Sequence, residues 1–163
     1  MNGFECIVKS LFVSLALGAM LSSCSPSNAQ EVTSSAYDTA ASYSSIYWSD
    51  ADSGKIGEIK FRLANVDAPE TGSMKQRGGA KCEYERKLGY ASKAYMVGFT
   101  KGKTTRIARD YGEDRYGRLV VDLEADGDDV ARAGVNAGHL RDWLHIKGRA
   151  QYAKPDWCAR AAN

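Results

Sequence analysis

The sequence has few of the residues that most often bind transition metals. Its 163 residues include only four cysteines and two histidines. No Cys-x-x-Cys pair occurs, and His139 and His145 are not spaced as a pair of ligands, so a zinc site is not expected. The net charge of +2 is too small to indicate nucleic-acid binding by itself.

Long apolar runs are also lacking. The run from Leu11 to Leu21 is too short for a permanent membrane helix, and it predicts a signal peptide over residues 1–29. Leu21-Ser22-Ser23-Cys24 resembles a lipobox, in which Cys24 is lipidated; cleavage after Ala29 is the alternative. Either site predicts export, as a periplasmic or outer-membrane lipoprotein or as a secreted protein. Contact with the membrane is expected only through a lipid on Cys24.

Export changes how the cysteines are interpreted. Cys6 lies in the signal peptide and Cys24 is the candidate lipid site, which leaves Cys82 and Cys158 as an even pair in an oxidising compartment. The sequence therefore predicts a disulfide between them, joining the start of the first helix to the C-terminal tail. Closing so long a loop contributes about 4 kcal/mol in the chain-entropy model.

Length and composition predict one folded domain of ordinary globular type, with 44% hydrophobic and 26% charged residues. We place a flexible tether at residues 30–42, the domain at 43–158 and a short tail at 159–163. Hydrophobic periodicity predicts short strands, two helices and a tail that it does not assign. These segments are Tyr43–Trp48, Ile56–Val66, Thr104–Arg109 and Arg118–Glu124 (strands), Cys82–Phe99 and Val130–Ala137 (helices), and His139–Cys158 (tail). We expect a bend near Gly57 to divide the second strand segment, and Asp128 or Asp129 to cap the second helix. This order indicates an α+β, mainly β fold, built as a small barrel with helices packed on it.

The stretch from Arg62 to Thr71 carries the strongest chemical signal. It begins as a strand, and Pro69 ends the strand because proline has no N–H to donate. Arg62, Asp67 and Glu70 are thereby presented on one strand and its rigid exit. Those groups suit a phosphate clamp, a hard metal ion and a general base; a strand with a solvated charged end is the alternative.

Two other motifs have equally plain alternatives. Asp50 and Asp52 lie in an acidic turn whose oxygens suit calcium, although a turn aspartate also caps its own backbone. Arg118 follows Asp114 through a glycine turn and can present its guanidinium to a phosphate, or it is simply solvated.

A stretch rich in lysine and arginine runs over residues 75–103. Such a stretch is typical of a surface that binds a polyanion, but it is also typical of an ordinary solvated helix face.

Taken together, these motifs resemble the thermonuclease, staphylococcal nuclease-like, family. The similarity lies in an arginine strand running into Val66-Asp67-Ala68-Pro69-Glu70-Thr71, then Asp114-Arg115-Tyr116-Gly117-Arg118, with the acidic turn ahead of both. It covers about residues 43–145. The resemblance implies a five-stranded oligonucleotide/oligosaccharide-binding (OB) barrel with packed helices. It further implies a monomeric, calcium-dependent nuclease that acts on DNA and RNA and leaves 3′-phosphate ends.

The resemblance also implies a role for each matching residue. Asp52, Asp67 and the backbone carbonyl of Ala68 would bind calcium, and Glu70 would be the general base. Arg62 and Arg118 would clamp the scissile phosphate, with Arg115 and Tyr116 near the nucleotide. Trp143 is a further aromatic candidate that the motif does not supply.

Two departures qualify the resemblance. Ala51 and Ser53 replace a glycine and a threonine of the family's acidic turn, and Ala51 would strain that turn if the glycine position has positive φ. The loop after Thr71 is also rebuilt. A non-catalytic nucleic-acid-binding OB module is the alternative function, and the complete set of five catalytic and metal-binding residues favours the enzyme.

Overall fold

The computed structural model describes residues 42–159. The predicted signal peptide, Cys24 and nearly all of the predicted tether lie outside the described residues. Within that range, neither helix is long and apolar enough to cross a membrane. In chain order, the elements are β1 (Ser42–Tyr43), β2 (Ile46–Asp50), β3 (Ser53–Ile56), β4 (Ile59–Leu63), β5 (Val66–Asp67), α1 (Glu83–Thr100), β6 (Thr105–Glu113), β7 (Leu119–Ala125), β8 (Asp128–Asp129), α2 (Val130–Asn136), β9 (Arg141–Asp142), β10 (His145–Ile146) and β11 (Arg149–Ala150).

The main sheet is mixed and has seven strands. Its order is β1-β6-β7-β4-β3-β2, with β8 added beside β7. The β4–β7 pair is parallel, and the other pairs are antiparallel. Strands β1 and β2 stand at opposite ends of this order, yet only two residues separate them in the chain. The sheet must therefore curl strongly, and the chain itself joins its two ends.

The α+β, mainly β, OB-like fold expected from the sequence is confirmed, with one refinement. A five-stranded barrel was expected, whereas the seven-stranded sheet does not close by hydrogen bonding. Two small additional sheets, β5–β9 and β10–β11, lie outside it. Strand β5 is short and pairs with the C-terminal part of the chain, which separates the Asp67 segment from the main sheet.

The core forms where the inward residues of the sheet meet α1. Inward and outward residues alternate along β7, and Phe61 and Leu63 of β4 have no exposed surface. Trp48 packs edge-on against Phe61, with ring centroids 5.3 Å apart. Its indole N–H donates to the Thr100 hydroxyl over 3.1 Å, which fixes the end of α1 against β2.

Helix α1 begins one residue later than its sequence pattern indicated. Cys82 is the N-cap, and its sulfur accepts a hydrogen bond from the backbone N–H of Glu85. Glu83 and Glu85 lie in the first turn, where the helix dipole favours negative charge. Asp129 caps α2 by accepting from the Arg132 N–H, so a capping role predicted for Asp128 or Asp129 is confirmed for the latter.

Several strand boundaries differ from expectation. The predicted strand Ile56–Val66 is interrupted at Gly57, where a bend was expected, and again at Asn65; both residues have φ of 58°. Strand β6 continues to Glu113, beyond its expected end at Arg109. Its last residues are exposed and the pairing with β7 contains register shifts, so the extension carries no core pattern for the sequence to show.

Candidate active site

The acidic turn and strand β4 bring Asp52 and Arg62 together. In the β3–β4 pairing, Ser53 is opposite Arg62, and the backbone N–H of Leu63 donates to the Asp52 carbonyl over 2.8 Å. The Arg62 guanidinium then reaches Asp52 Oδ2 at 2.6 Å. Asp52 Oδ2 also accepts from the backbone N–H of Ala68 at 3.2 Å. One carboxylate thus connects the acidic turn to the strand and to the strand's exit.

Ala51 is accommodated in this turn without the strain that the sequence raised as a possibility. It does not have positive φ, and its side chain is fully buried in the core. The alanine that departs from the family pattern therefore contributes apolar packing.

The chain leaves β4 through a turn that Asn65 makes possible. Asn65 adopts a left-handed conformation, which asparagine tolerates better than most residues. Its carbonyl accepts from the Trp143 N–H, and its side-chain oxygen accepts from the His145 N–H. This anchoring directs the Val66 carbonyl at Arg62, whose Nη2 donates to it over 3.0 Å. The same nitrogen lies 3.9 Å from Asp67 Oδ1.

Asp67 is the most deeply buried carboxylate of the site, with 1% of its surface exposed. The indole N–H of Trp157 donates to Asp67 Oδ2 over 2.8 Å. Lys154 Nζ lies 3.3 Å from Asp67 Oδ1. A buried charge needs such partners, and both come from the C-terminal tail.

Glu70 is held through its backbone and remains partly exposed at its carboxylate. Its N–H donates to Glu85 Oε1 over 3.4 Å, and Glu85 is itself buried in the first turn of α1. The carboxylate of Glu70 pairs with Lys154 at 2.9 Å and is 29% exposed. Gly89 lets α1 approach this loop, because a β-carbon there would lie 2.5 Å from the Glu70 carbonyl oxygen.

The site changes the proton affinities of its own carboxylates. Burial, followed by the negative charge of Asp52, raises the pKa of Asp67 although Lys154 and Trp157 oppose this. Burial likewise raises the pKa of Glu70, again against the opposing effect of Lys154. A carboxylate with a raised pKa accepts a proton more readily, which suits a general base.

Arg118 is held by its own turn. Its Nε and Nη2 donate to Asp114 Oδ2 over 2.9 and 2.7 Å, and the two residues are also joined through the backbone. The Tyr116 ring lies 5.4 Å from the Arg118 guanidinium and 4.9 Å from that of Arg115. Arg118 directly precedes β7, and Arg62 pairs with Val120 in register. Alternation along the strand therefore places Arg62 and Arg118 on the same face of the sheet.

The model of the staphylococcal nuclease homologue family matches residues 60–154, which is more than half of the chain. The chain belongs to the staphylococcal nuclease homologue family. A search of curated proteins found no match. The matched region contains Arg62, Glu70 and Arg118 and ends at Lys154, while the acidic turn precedes it.

The donor atoms of this nuclease-family site have the chemistry that a hard cation requires. The carboxylates of the cluster outnumber its cationic side chains, which are Arg62 and Lys154. That surplus of carboxylate oxygen fits calcium. Within residues 42–159, however, no three Asp, Glu, His or Cys side chains are grouped so as to enclose a metal ion. The calcium ligands predicted at Asp52, Asp67 and Ala68 stay a prediction.

The predicted cysteine pair lies at bonding distance. The sulfurs of Cys82 and Cys158 are 2.17 Å apart, which joins the N-cap of α1 to the tail as the sequence indicated. Cys158 Sγ also lies 3.8 Å from Glu85 Oε2, the carboxylate that holds the Glu70 backbone. The bridge is therefore adjacent to the loop that carries Glu70 in this nuclease-family domain.

Sequence reasoning missed the tail's part in the site. Lys154 and Trp157 contact Asp67 although they lie in a segment without regular structure, so no periodicity marked them. The available signal was the predicted disulfide itself: Cys158 brought to the N-cap of α1 carries the adjacent Trp157 with it. Trp143, named only as an aromatic candidate, lies with its ring centroid 5.8 Å from the Arg62 guanidinium.

Proposed function

We propose that this domain hydrolyses phosphodiester bonds of DNA and RNA with the help of calcium. The observation that carries the proposal is a single contact network in which Arg62 touches Asp52 and Asp67, and Lys154 joins Asp67 to Glu70. An arginine, a base with raised pKa and two buried acids thus lie together where the chain leaves β4. Membership of a nuclease family supports the same reading.

The proposed chemistry assigns one task to each of these residues. Glu70 takes a proton from the attacking water, and positioned bases typically contribute about 10²–10⁴-fold to a rate. Arg62 and Arg118 donate hydrogen bonds to the phosphate oxygens as negative charge develops on them. The new P–O bond forms as the bond to the 5′ oxygen breaks, and that oxygen takes a proton from solvent, which leaves a 3′-phosphate and a 5′-hydroxyl.

Asp52, Asp67 and the Ala68 carbonyl would hold the calcium ion. When bound, calcium supplies positive charge that lowers the repulsion between a phosphodiester and a hydroxide. Asp52 and Asp67 are already buried beside Arg62, with 6% and 1% of their surfaces exposed, so the proposed calcium ligands lie close together before the ion binds.

Substrate binding would rely on phosphate contacts and stacking. Arg115 and Tyr116 form an exposed pair in the turn before β7, and the Trp143 ring faces the Arg62 guanidinium. Aromatic stacking tolerates any base, which agrees with cleavage of DNA and RNA without sequence preference.

A non-catalytic nucleic-acid-binding module is the second candidate. It is favoured by one observation: Lys154 contacts both Glu70 and Asp67, and its single positive charge offsets part of the negative charge available to a metal. In this reading the basic and aromatic groups bind a strand and no bond is cut.

Cleavage of a fluorescence-quenched single-stranded DNA, and of the matching RNA, distinguishes the two candidates. The purified chain is assayed with calcium and then with excess chelator, while fluorescence anisotropy records binding. Calcium-dependent cleavage of both substrates supports the enzyme. Binding without cleavage under either condition, in folded protein, supports the binding module.

We further propose that the protein is exported and held at the cell envelope through a lipid on Cys24. The lipobox-like sequence ending at Cys24 supports this. Globomycin, which blocks processing of lipoproteins, should then cause a slower-migrating precursor to accumulate. An unchanged band argues instead for cleavage after Ala29 and secretion.

A further inference from the structure

The cluster contains two cationic side chains that are held very differently. Arg62 projects from β4 and is fixed by Asp52 and by the Val66 carbonyl; its side chain is 17% exposed. Lys154 projects from the part of the C-terminal tail after β11, residues 151–159, which forms neither helix nor strand, and its side chain is 36% exposed. Lys154 is therefore the cation that can leave the cluster at the smaller cost.

The tail that carries Lys154 is fastened to the domain near the site. Trp157 donates to Asp67, and Cys158 is bonded to Cys82. Arg141 donates to the Asp156 carbonyl over 2.8 Å, and its guanidinium lies 4.1 Å from the centroid of the Trp157 ring. These attachments keep the Lys154 ammonium at a high effective concentration beside the carboxylates, much as a short linker does.

We propose that the Lys154 ammonium occupies the Asp67–Glu70 pair in the absence of metal, and that a divalent metal must displace this ammonium to bind. We further propose that the Cys82–Cys158 bond holds Lys154 in that position. The ammonium lies 3.3 Å from Asp67 and 2.9 Å from Glu70, so it draws on the carboxylate oxygens that a hard cation would use. Lys154 thereby sets the concentration of metal at which the site fills. The inference rests on the proposed function, because it takes Asp67 as a metal ligand.

The competition has a structural consequence for the tail. Once the lysine is displaced, Trp157 and the disulfide still keep the tail on the domain, so the site opens locally. Breaking the disulfide removes one attachment and lowers the effective concentration of the ammonium. Reduction and removal of the lysine charge should therefore act in the same direction on metal binding.

Calorimetric titration of the chain with calcium, without nucleic acid, tests this directly. Lys154→Met removes the charge and keeps most of the side-chain length, and Lys154→Arg retains the charge. Lys87→Met removes the same charge from an exposed position on α1 and is the matched control. Lys154→Met should bind calcium more tightly than the parent, by up to about fivefold, the size expected when a solvent-accessible ion pair no longer competes. The other two variants should bind like the parent.

A double-mutant cycle tests the part played by the disulfide. Cys158→Ser alone should also tighten calcium binding, and adding it to Lys154→Met should gain little more, because both changes remove the same competitor. Reduced parent protein, checked for its fold by circular dichroism, gives the same comparison without a substitution. Full additivity of the two changes would contradict a shared mechanism.

Other outcomes would overturn the inference. One is that Lys154→Met binds calcium no more tightly than the parent. Another is that Lys87→Met tightens binding equally, which would indicate a general charge effect. Absence of calcium binding in every variant would overturn it as well. Cleavage by the parent, measured in parallel, then separates the two ideas. If no variant binds calcium but the parent still cuts DNA, the proposed hydrolysis stands without its calcium, and if the parent does not cut in calcium either, both ideas fall.

Discussion

The two arginine motifs of this domain are built in different ways. The Arg62 cluster draws on the acidic turn, strand β4, the loop around Glu70 and the C-terminal tail. The Arg118 motif forms its hydrogen bonds within five residues, because Asp114 accepts from both the guanidinium and the backbone N–H of Arg118. A tertiary cluster concentrates charge in a buried place, whereas a local turn only orients one partly exposed side chain. The difference predicts where a substitution will affect folding as well as chemistry.

The largest contrast is expected from replacing each arginine by lysine. Both variants should lose cleavage by about 10²–10³-fold, the usual cost of removing an electrostatic donor from a transition state. Arg62→Lys should lower the free energy of unfolding more than Arg118→Lys, because Asp52 is buried and depends on the Arg62 guanidinium. Urea unfolding and cleavage rates measured on both variants check this. Equal loss of stability in both would remove the distinction between the motifs.

A smaller effect is expected from the helix that supports the cluster. Gly89→Ala places a β-carbon against the Glu70 carbonyl and should slow cleavage about tenfold, as the loop moves, while costing about 1–3 kcal/mol from overpacking. Gly98→Ala in the same helix meets nothing within 4 Å and should stabilise the protein by about 0.5–1 kcal/mol. Thermal unfolding and cleavage assays of the pair are the measurement. Similar behaviour of the two variants would mean that α1 does not position Glu70.

The smallest effect concerns the Asp114–Arg118 turn and its contribution to the free energy of unfolding at low pH. Burial alone would raise the pKa of Asp114, but the hydrogen bonds from Arg118 and from the backbone outweigh it and hold the pKa below its usual range. A lowered pKa in the folded state contributes stability above the ordinary aspartate pKa of about 3.9, and this is lost as the pH falls through the folded value. The parent should therefore be more stable than Asp114→Asn at pH 6, and this advantage should disappear on acidification below about pH 3.9.

Urea unfolding of the parent and Asp114→Asn at several pH values measures this difference. Asp126→Asn, in another exposed turn, is the control for a general loss of charge. A difference between parent and Asp114→Asn that does not change with pH would show that the Asp114–Arg118 pair contributes nothing through its charge.

The sequence predicts local contacts of the structure better than contacts between distant segments. The Asp114–Arg118 turn and the cap of α2 involve residues at most four apart, so their residue types alone indicate them. The bend at Gly57 and the pairing of Cys82 with Cys158 were also predicted. Contacts of the tail were not, because Lys154 reaches Glu70 across 84 residues and Trp157 reaches Asp67 across 90. No local pattern encodes contacts that depend on where a segment without regular structure comes to lie.

Glu70→Gln tests the central claim most directly, with Glu58→Gln in the exposed β3–β4 turn as its control. Cleavage of single-stranded DNA in calcium is measured alongside binding by fluorescence anisotropy. If Glu70 is the general base, its substitution lowers the cleavage rate by about 10²–10⁴-fold and leaves affinity for DNA unchanged, while the control cuts like the parent. Cleavage by Glu70→Gln at the parent rate would contradict the assignment of the Arg62–Glu70 cluster as the catalytic centre.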